Sequence, residues 1–248
     1  MRKDVQKPAF DAPLFPMRIN KYLAFKKHST RRGADELIKK KLVFINNKLA
    51  VLGDKVKEAD NVEIKFRGKP TPLFYFAYNK PKGAITESME QDGNEKVKGK
   101  NQTTAFKGIF PIGGLDKDSH GLVIQTSDGR ITERLLSSAY GDEKEYIVTT
   151  RNALRTSFKE KMETGVKIEK EQAGACKVHI LNANTFRVIL TEEKKHQIRR
   201  MCSALFQEVE DVKRVRILNI SLGDMAEGAH RKIDGEELKT FLQTLGIA

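Results

Sequence analysis

The run from Phe110 to Gly129 narrows most sharply what this chain can become. An apolar approach, Phe110-Pro111-Ile112, meets the pair Gly113-Gly114. A polar loop follows, then the β-rich run His120 to Thr126, and the run closes on Asp128-Gly129. The pattern predicts strand, loop, strand and turn. A polar loop strung between two strands is held by a rigid frame, and reactive side chains concentrate in such loops. Asp116 stands early in this one. Asp116 and Asp118 are also ordinary turn formers, able to bond their own backbone. The stretch alone leaves both uses of Asp116 open.

The sequence around it divides in four. Residues 1–16 read as a flexible arm interrupted by Pro8, Pro13 and Pro16. Residues 17–67 read as a small module. Ile19 and Leu23 mark one face of a short helix, and Ser29 or Thr30 can cap a second. In that second helix Ala34, Leu37 and Ile38 recur at helical spacing and mark its buried side. Leu42 to Ile45 is a strand, Asn46-Asn47 a hairpin turn, and Val62 to Phe66 alternates apolar and charged. Residues 68–72, with Pro70 and Pro72, read as a stiff linker. Residues 73–248 form a second domain. Residues 73–82 open it with an apolar run that reads as a buried strand ended by Asn79-Lys80-Pro81, and a polar excursion follows over 87–103. Helices are predicted at 131–136, 153–164, 197–206 and 235–245, and strands at 145–150, 176–181, 186–191 and 212–222. Hairpins and longer returns with scattered helices make the fold class α+β rather than a regular βαβ alternation.

Charge is distributed unevenly. The chain carries 46 Lys+Arg against 33 Asp+Glu over 248 residues; residues 1–70 hold 18 against 8, and residues 71–248 hold 28 against 25. The excess in the first module points to a polyanion, nucleic acid before a membrane surface, since no amphipathic anchor accompanies it. No apolar run approaches the ~20 residues that span a bilayer. The N-terminus lacks the apolar core of a signal peptide. Cys176 and Cys202 sit in apolar patterns without metal-type spacing and read as reduced core residues, so the chain is expected in the cytoplasm. The 5 histidines are scattered and no zinc spacing appears.

Residues 17–67 resemble the S4-type RNA-binding domain. The resemblance is carried by Arg18-Ile19-Asn20-Lys21-Tyr22-Leu23, Ser29-Thr30-Arg31-Arg32, Val43 to Lys48 and Gly53-Asp54-Lys55-Val56. It implies that Arg18, Lys21, Arg31, Arg32 and Lys39 meet the phosphates of structured RNA, contacts that position the partner without reading its sequence. Three further segments in order, Gly114 to Leu122, Glu143 to Val148, and Phe186 to Leu190 with His196 to Met201, resemble the pseudouridine synthases. Among them the chain is most similar to the S4-bearing bacterial ribosomal RNA enzymes, in particular the RluF-type large-subunit group. The resemblance implies a mixed, largely antiparallel sheet with a central cleft, and a reaction without cofactor or metal. The implied partner is ribosomal RNA, with a tRNA as a possible second substrate, bound by a monomer.

That reaction breaks C1′–N1 of a uridine, turns the base and joins C1′ to C5. The resemblance assigns its carboxylate to Asp116, which could attack the sugar, attack the base or remove a sugar proton. A buried carboxylate needs a partner to stay ionised. Arg199 is the candidate, about 100° round the helix from Ile198 at the margin of an apolar face. Arg200 lies further round, toward solvent or RNA phosphate. By resemblance Tyr146 lies against the uracil ring, Leu115 and Ile198 wall the pocket, and Lys80 shapes a loop or touches RNA. Asp118 reads as structural. Two positions depart from the group. Gly114 stands where an arginine that supports base flipping is usual, with Lys117 or the 87–103 excursion as substitutes, and His196 stands where Arg is common. The first departure motivates an alternative, an RNA-binding or ribosome-assembly factor that kept the fold. A third reading, a metal-dependent nuclease on Asp116 and Asp118, would need further carboxylates or histidines converging there.

Overall fold

The computed structural model describes residues 15–26, 28–65, 72–86, 109–137, 140–169 and 171–247. The arm over 1–14, most of the linker and the 87–103 excursion lie outside the described residues. The chain forms two compact units: residues up to Leu73 with Asp128–Glu133, and Phe74–Ser127 with Arg134–Gly246.

The first unit begins with β1 (Met17–Arg18) and α1 (Ile19–Phe25), where Ile19 and Leu23, one turn apart, are both fully buried. Thr30 caps α2 (Arg31–Lys39) by accepting from the Gly33 N–H at 3.0 Å, a contact that stabilises a helix start by ~1 kcal/mol. Ala34 and Ile38 turn inward, and the Asn20 side chain donates to Asp35 at 2.9 Å to tie the two helices. β2 (Val43–Ile45) turns through Asn46 and Asn47, both left-handed with φ of 49° and 64°, into β3 (Lys48–Leu49). β4 (Lys55–Val56) pairs with β1, and β5 (Val62–Ile64) with β2. Val43 and Val56 close the core over the helices.

The second unit contains β6 (Tyr75–Lys80), β7 (Phe110–Ile112), β8 (His120–Thr126), β9 (Lys144–Thr150), α4 (Phe158–Glu163) and the ribbon β10 (Lys167–Ile168)–β11 (Glu171–Gln172), with α3 (Arg130–Leu136) crossing from the first unit's residues. It continues with β12 (Lys177–Ile180), β13 (Thr185–Leu190), α5 (Gln197–Ala204), β14 (Val209–Ile217), β15 (Ile220–Ser221), β16 (His230–Lys232) and α6 (Gly235–Thr244). Its nine-stranded sheet runs β12-β13-β9-β14-β8-β6-β16, with β15 on β14 and β7 on β8. Every pairing is antiparallel except β14 with β8, where Arg214 stands opposite Gly121. Gly121 has φ +102°, and a Cβ there would fall 2.3 Å from the Arg214 carbonyl oxygen, so this approach requires glycine. Ile198, Met201 and Cys202 of α5 pack with Val148 of β9 and Val188 of β13, and Phe158 meets Phe186 edge-on at 4.8 Å.

Three boundaries differ from the sequence expectation. The helix predicted over 153–164 forms only at Phe158–Glu163; ahead of it the chain is tied elsewhere, the Leu154 N–H to the Ala183 carbonyl at 2.7 Å and the Ala153 carbonyl to the Gln207 side chain at 3.4 Å. α5 stops at Ala204, where Phe206 turns left-handed at φ 58°. The strand expected over 212–222 starts earlier, at Val209, and breaks at Leu218, also left-handed at φ 50°. Cys176, partly buried against the core, and Cys202, buried in it, are free, and burial pushes their thiols up to about 11 and about 12, which disfavours the thiolate. Among the described residues no helix is long and apolar enough to cross a membrane, and no cluster of three or more His, Cys, Asp and Glu could hold a metal ion.

Candidate active site

Asp116 lies in the loop that joins β7 to β8, and almost every backbone carbonyl of that loop is held. The fully buried Lys80, at the end of β6, donates from Nζ to the carbonyls of Ser119 at 2.6 Å, Asp116 at 3.2 Å and Lys117 at 3.4 Å. The Ser119 N–H closes a turn onto the Asp116 carbonyl at 3.0 Å, and the Gly83 N–H reaches that of Lys117 at 2.8 Å. The Thr86 hydroxyl accepts from the Leu115 N–H and donates to its carbonyl, both at 3.0 Å. Arg199 donates to the Asp118 carbonyl at 3.2 Å, and Arg214 to that of Gly113. Asp116 is therefore both a turn former through its backbone and the bearer of a presented carboxylate. A loop with its carbonyls held on two sides keeps that side chain in one place, which is the preorganisation that reactions require.

The carboxylate keeps 36 % side-chain exposure, enough to be reached from the cleft. Its partner is His196, whose Nδ1 lies 2.8 Å from Oδ2. This corrects the expected pairing with Arg199. The Arg199 guanidinium is spent on the carbonyls of Val209, at 3.1 Å, and Asp118. The reason is backbone geometry: His196 precedes α5 in a left-handed conformation, φ 53° and ψ 29°, which swings its ring ahead of the helix toward Asp116.

The cleft holds about 230 Å³, and Gly114, Leu115, Asp116, Tyr146, Ile198 and Arg199 all contribute to its wall. The expected apolar pair, Leu115 and Ile198, is there. Tyr146 is buried on β9, and burial pushes its hydroxyl up to about 12, with the Arg214 cation pulling it down and the Glu193 carboxylate pushing it up. It is a neutral phenol at physiological pH. Behind it the wholly buried Arg214 donates to the Leu122 carbonyl at 2.7 Å and to Glu193 at 3.1 Å. Glu193 also lies 3.5 Å from the buried Lys144, so one carboxylate bridges two buried cations. Burial lowers the proton affinity of Lys144 and Lys80, and in Lys80 the nearby Asp116 and Asp118 charges oppose that shift.

Lys80 holds the loop and is not a surface contact for RNA. Arg200 is half-buried with Glu169 at 3.5 Å, so it does not stand clear in solvent. Arg18, Lys21, Arg31, Arg32 and Lys39 are all exposed on the first unit; Lys39 is paired with Glu36 at 2.9 Å. A Cβ at Gly114 would fall 2.7 Å from the Thr86 hydroxyl oxygen, so any side chain there has to displace the contact that fixes Leu115. Sequence reasoning missed Thr86, Glu193 and Arg214 altogether. For Arg214 a signal existed: it stands two residues after the buried Val212, on the same face of β14.

Fold and cleft together define an α+β enzyme with an appended RNA-binding module. Residues 74–204 match the family model described as RNA pseudouridylate synthase, and residues 17–62 match the S4 domain. The chain belongs to the RNA pseudouridylate synthase family. It is 34% identical over 226 residues, 90% of this chain and 77% of the relative, to the dual-specificity RNA pseudouridine synthase RluF of Escherichia coli K12. It is 29% identical to the ribosomal large subunit pseudouridine synthase B of Bacillus subtilis, covering 90% of this chain and 94% of that one. A solved pseudouridylate synthase shares the fold with a TM-score of 0.64 at 24% identity, covering 92% of this chain and 99% of that chain.

Proposed function

We propose that this protein converts a uridine of large-subunit ribosomal RNA to pseudouridine, with Asp116 as the catalytic carboxylate. The observation that carries the reading is the Asp116 carboxylate itself, presented to the cleft on a loop whose carbonyls are held from both sides, 2.8 Å from His196. The isomerisation moves one proton: C1′–N1 breaks, C1′–C5 forms, C5 loses its hydrogen and N1 gains one. Leu115 and Ile198 wall in the freed base, and Tyr146, a neutral phenol, stacks against it and can donate a hydrogen bond. Arg199 acts from the cleft wall as a positioning residue, holding the carbonyl of Asp118 two residues beyond the carboxylate.

The S4-like module over 17–67 supplies sequence-independent hold on the RNA through Arg18, Lys21, Arg31, Arg32 and Lys39, with residues 68–72 as linker and 73–248 as the catalytic domain. Arg200 contributes a phosphate contact once RNA competes with Glu169. The name of the Bacillus subtilis relative supports large-subunit ribosomal RNA as substrate, and the dual specificity of the Escherichia coli relative supports a second RNA, which we assign to tRNA. The protein works as a monomer in the cytoplasm. Asp116→Asn should abolish pseudouridine formation on ribosomal RNA transcripts, read by chemical labelling of pseudouridine, while RNA affinity survives. Activity persisting in that variant would sink the assignment. Wild-type protein that binds these transcripts and modifies none would favour the assembly-factor alternative raised by Gly114.

A further inference from the structure

The C-terminal end of α5 carries an outlier that the catalytic reading does not use. The helix closes with the Gln207 N–H on the Cys202 carbonyl at 2.9 Å and the Phe206 N–H on the Ser203 carbonyl at 2.9 Å. These are the two bonds of a Schellman closure, in which the residue at Phe206's place adopts a left-handed backbone and is usually glycine. Here it is phenylalanine at φ 58°, a costly conformation for an aromatic residue. The ring gains no core contact in return. It is 79% exposed, more than any other large exposed hydrophobic among the described residues. It has one neighbour of note: the guanidinium of Arg155, itself exposed, lies 5.1 Å from the ring centroid.

The platform is rigidly mounted. Gln207, beside it, is buried and donates to the Ala153 carbonyl at 3.4 Å, and the Arg151 N–H reaches the Glu208 carbonyl at 2.9 Å, so the segment bearing Arg155 is tied to the turn bearing Phe206. Glu208 is neutralised by Arg151 at 2.9 Å, which leaves Arg155 as the cation facing the ring. The same helix carries Arg199 into the cleft seven residues earlier. From Arg199 to the helix end at Ala204, two residues before Phe206, the rise is about 7.5 Å along the axis at 1.5 Å per residue, that of about two stacked nucleotides.

We propose that Phe206, seated against Arg155, is a stacking platform for an unpaired base of the RNA close to the reacting uridine. An aromatic face with an adjoining guanidinium accepts any base, because every base offers a π-face and both groups stack on it. The strained turn then has a use: it projects a flat apolar surface where a glycine would project none. The proposal rests on the reading of this protein as one that acts on RNA, and it concerns a contact outside the chemistry.

The test uses full-length protein, a stem–loop RNA with an unpaired loop and a blunt duplex of equal length. Phe206→Gly suits the left-handed backbone, so its thermal midpoint should match or exceed the wild type, which separates a binding effect from a folding defect. Its affinity for the stem–loop should fall about 5- to 150-fold, with duplex affinity and the salt slope unchanged. Phe206→Tyr should bind as the wild type does. Equal stem–loop affinity in wild type and Phe206→Gly overturns the platform, as does an equal loss on both RNAs. Pseudouridine formation by the wild type is measured in parallel. Normal isomerisation with an unchanged Phe206→Gly sinks the platform alone, and absent isomerisation with a selective stem–loop loss sinks the catalytic reading alone.

Discussion

Every described Lys and Arg between Arg18 and Lys65 is exposed, whereas in the second unit Lys80, Lys144 and Arg214 are 0%, 3% and 0% exposed. The first set supplies charge to a surface and is replaceable one residue at a time, because solvent screens each member. The second set spends its charge inside the fold, on backbone carbonyls and on Glu193. A buried cation is tolerated only when its hydrogens are satisfied: Lys80 and Arg214 sit where backbone carbonyls converge, and Lys144 meets the Leu135 carbonyl and Glu193. Two of them, Lys80 and Arg214, hold the loop of Asp116. The lesson of the contrast is that net charge measures the binding half of this protein and is silent about the cations that build its site.

The contrast breaks most visibly at Arg214. Arg214→Met should destabilise the protein by ~3–5 kcal/mol, the usual cost of removing one partner from a buried charge pair, read as a lower urea midpoint. A loss below ~1 kcal/mol would show that the Glu193–Arg214 contact is not structural. Next comes Lys80→Met, which leaves the carbonyls of Asp116, Lys117 and Ser119 short of a donor. Its expected signature is a kcat about 100-fold lower, the scale of a small misplacement of a reacting group, with RNA affinity nearly unchanged. This variant also carries a pH signature. Burial holds the folded value of Lys80 below its ordinary 10.5. Between that lowered value and 10.5 the unfolded chain binds the extra proton, so this residue makes stability rise with pH across the window. The stability gap between wild type and Lys80→Met should therefore widen in favour of the wild type as pH approaches 10.5 from below. The smallest effect is expected on the first unit. Arg31→Ala with Arg32→Ala should shift stability by no more than ~0.5 kcal/mol, yet flatten the salt dependence of RNA binding by about 0.7–0.9 per phosphate contact removed.

The elements of the first unit were legible because each rests on local chemistry. Ile19 with Leu23 and Ala34 with Ile38 show helical spacing, Thr30 is a capping residue, and Asn46-Asn47 accept the left-handed backbone of a tight turn. The loop of Asp116 was legible for the same reason, as two apolar runs closing on a polar bend. The pairing inside the cleft was not. Helical geometry placed Arg199 at the margin of the apolar face of α5, and it does line the cleft. The partner of Asp116 is nevertheless His196, because the backbone reverses its twist just before the helix begins. A single left-handed residue leaves no periodic trace in a sequence.

What this sequence determined by itself is therefore a basic two-helix module, an α+β second domain and an aspartate on a loop between strands, all consequences of spacing, capping and turn chemistry within about 20 residues. Which charges meet is settled by the assembled sheet. Arg214, Lys80 and Glu193 reach the Asp116 loop and Tyr146 from strands and loops far apart in the chain: Arg214 through the parallel pairing of β14 with β8, Lys80 through the antiparallel pairing of β6 with β8, both opposite Gly121, and Glu193 from the segment after β13. The free energy of a charge depends on what surrounds it more than on what precedes it, so a lysine that is solvated at position 48 and one that holds a loop at position 80 look alike until the sheet is assembled.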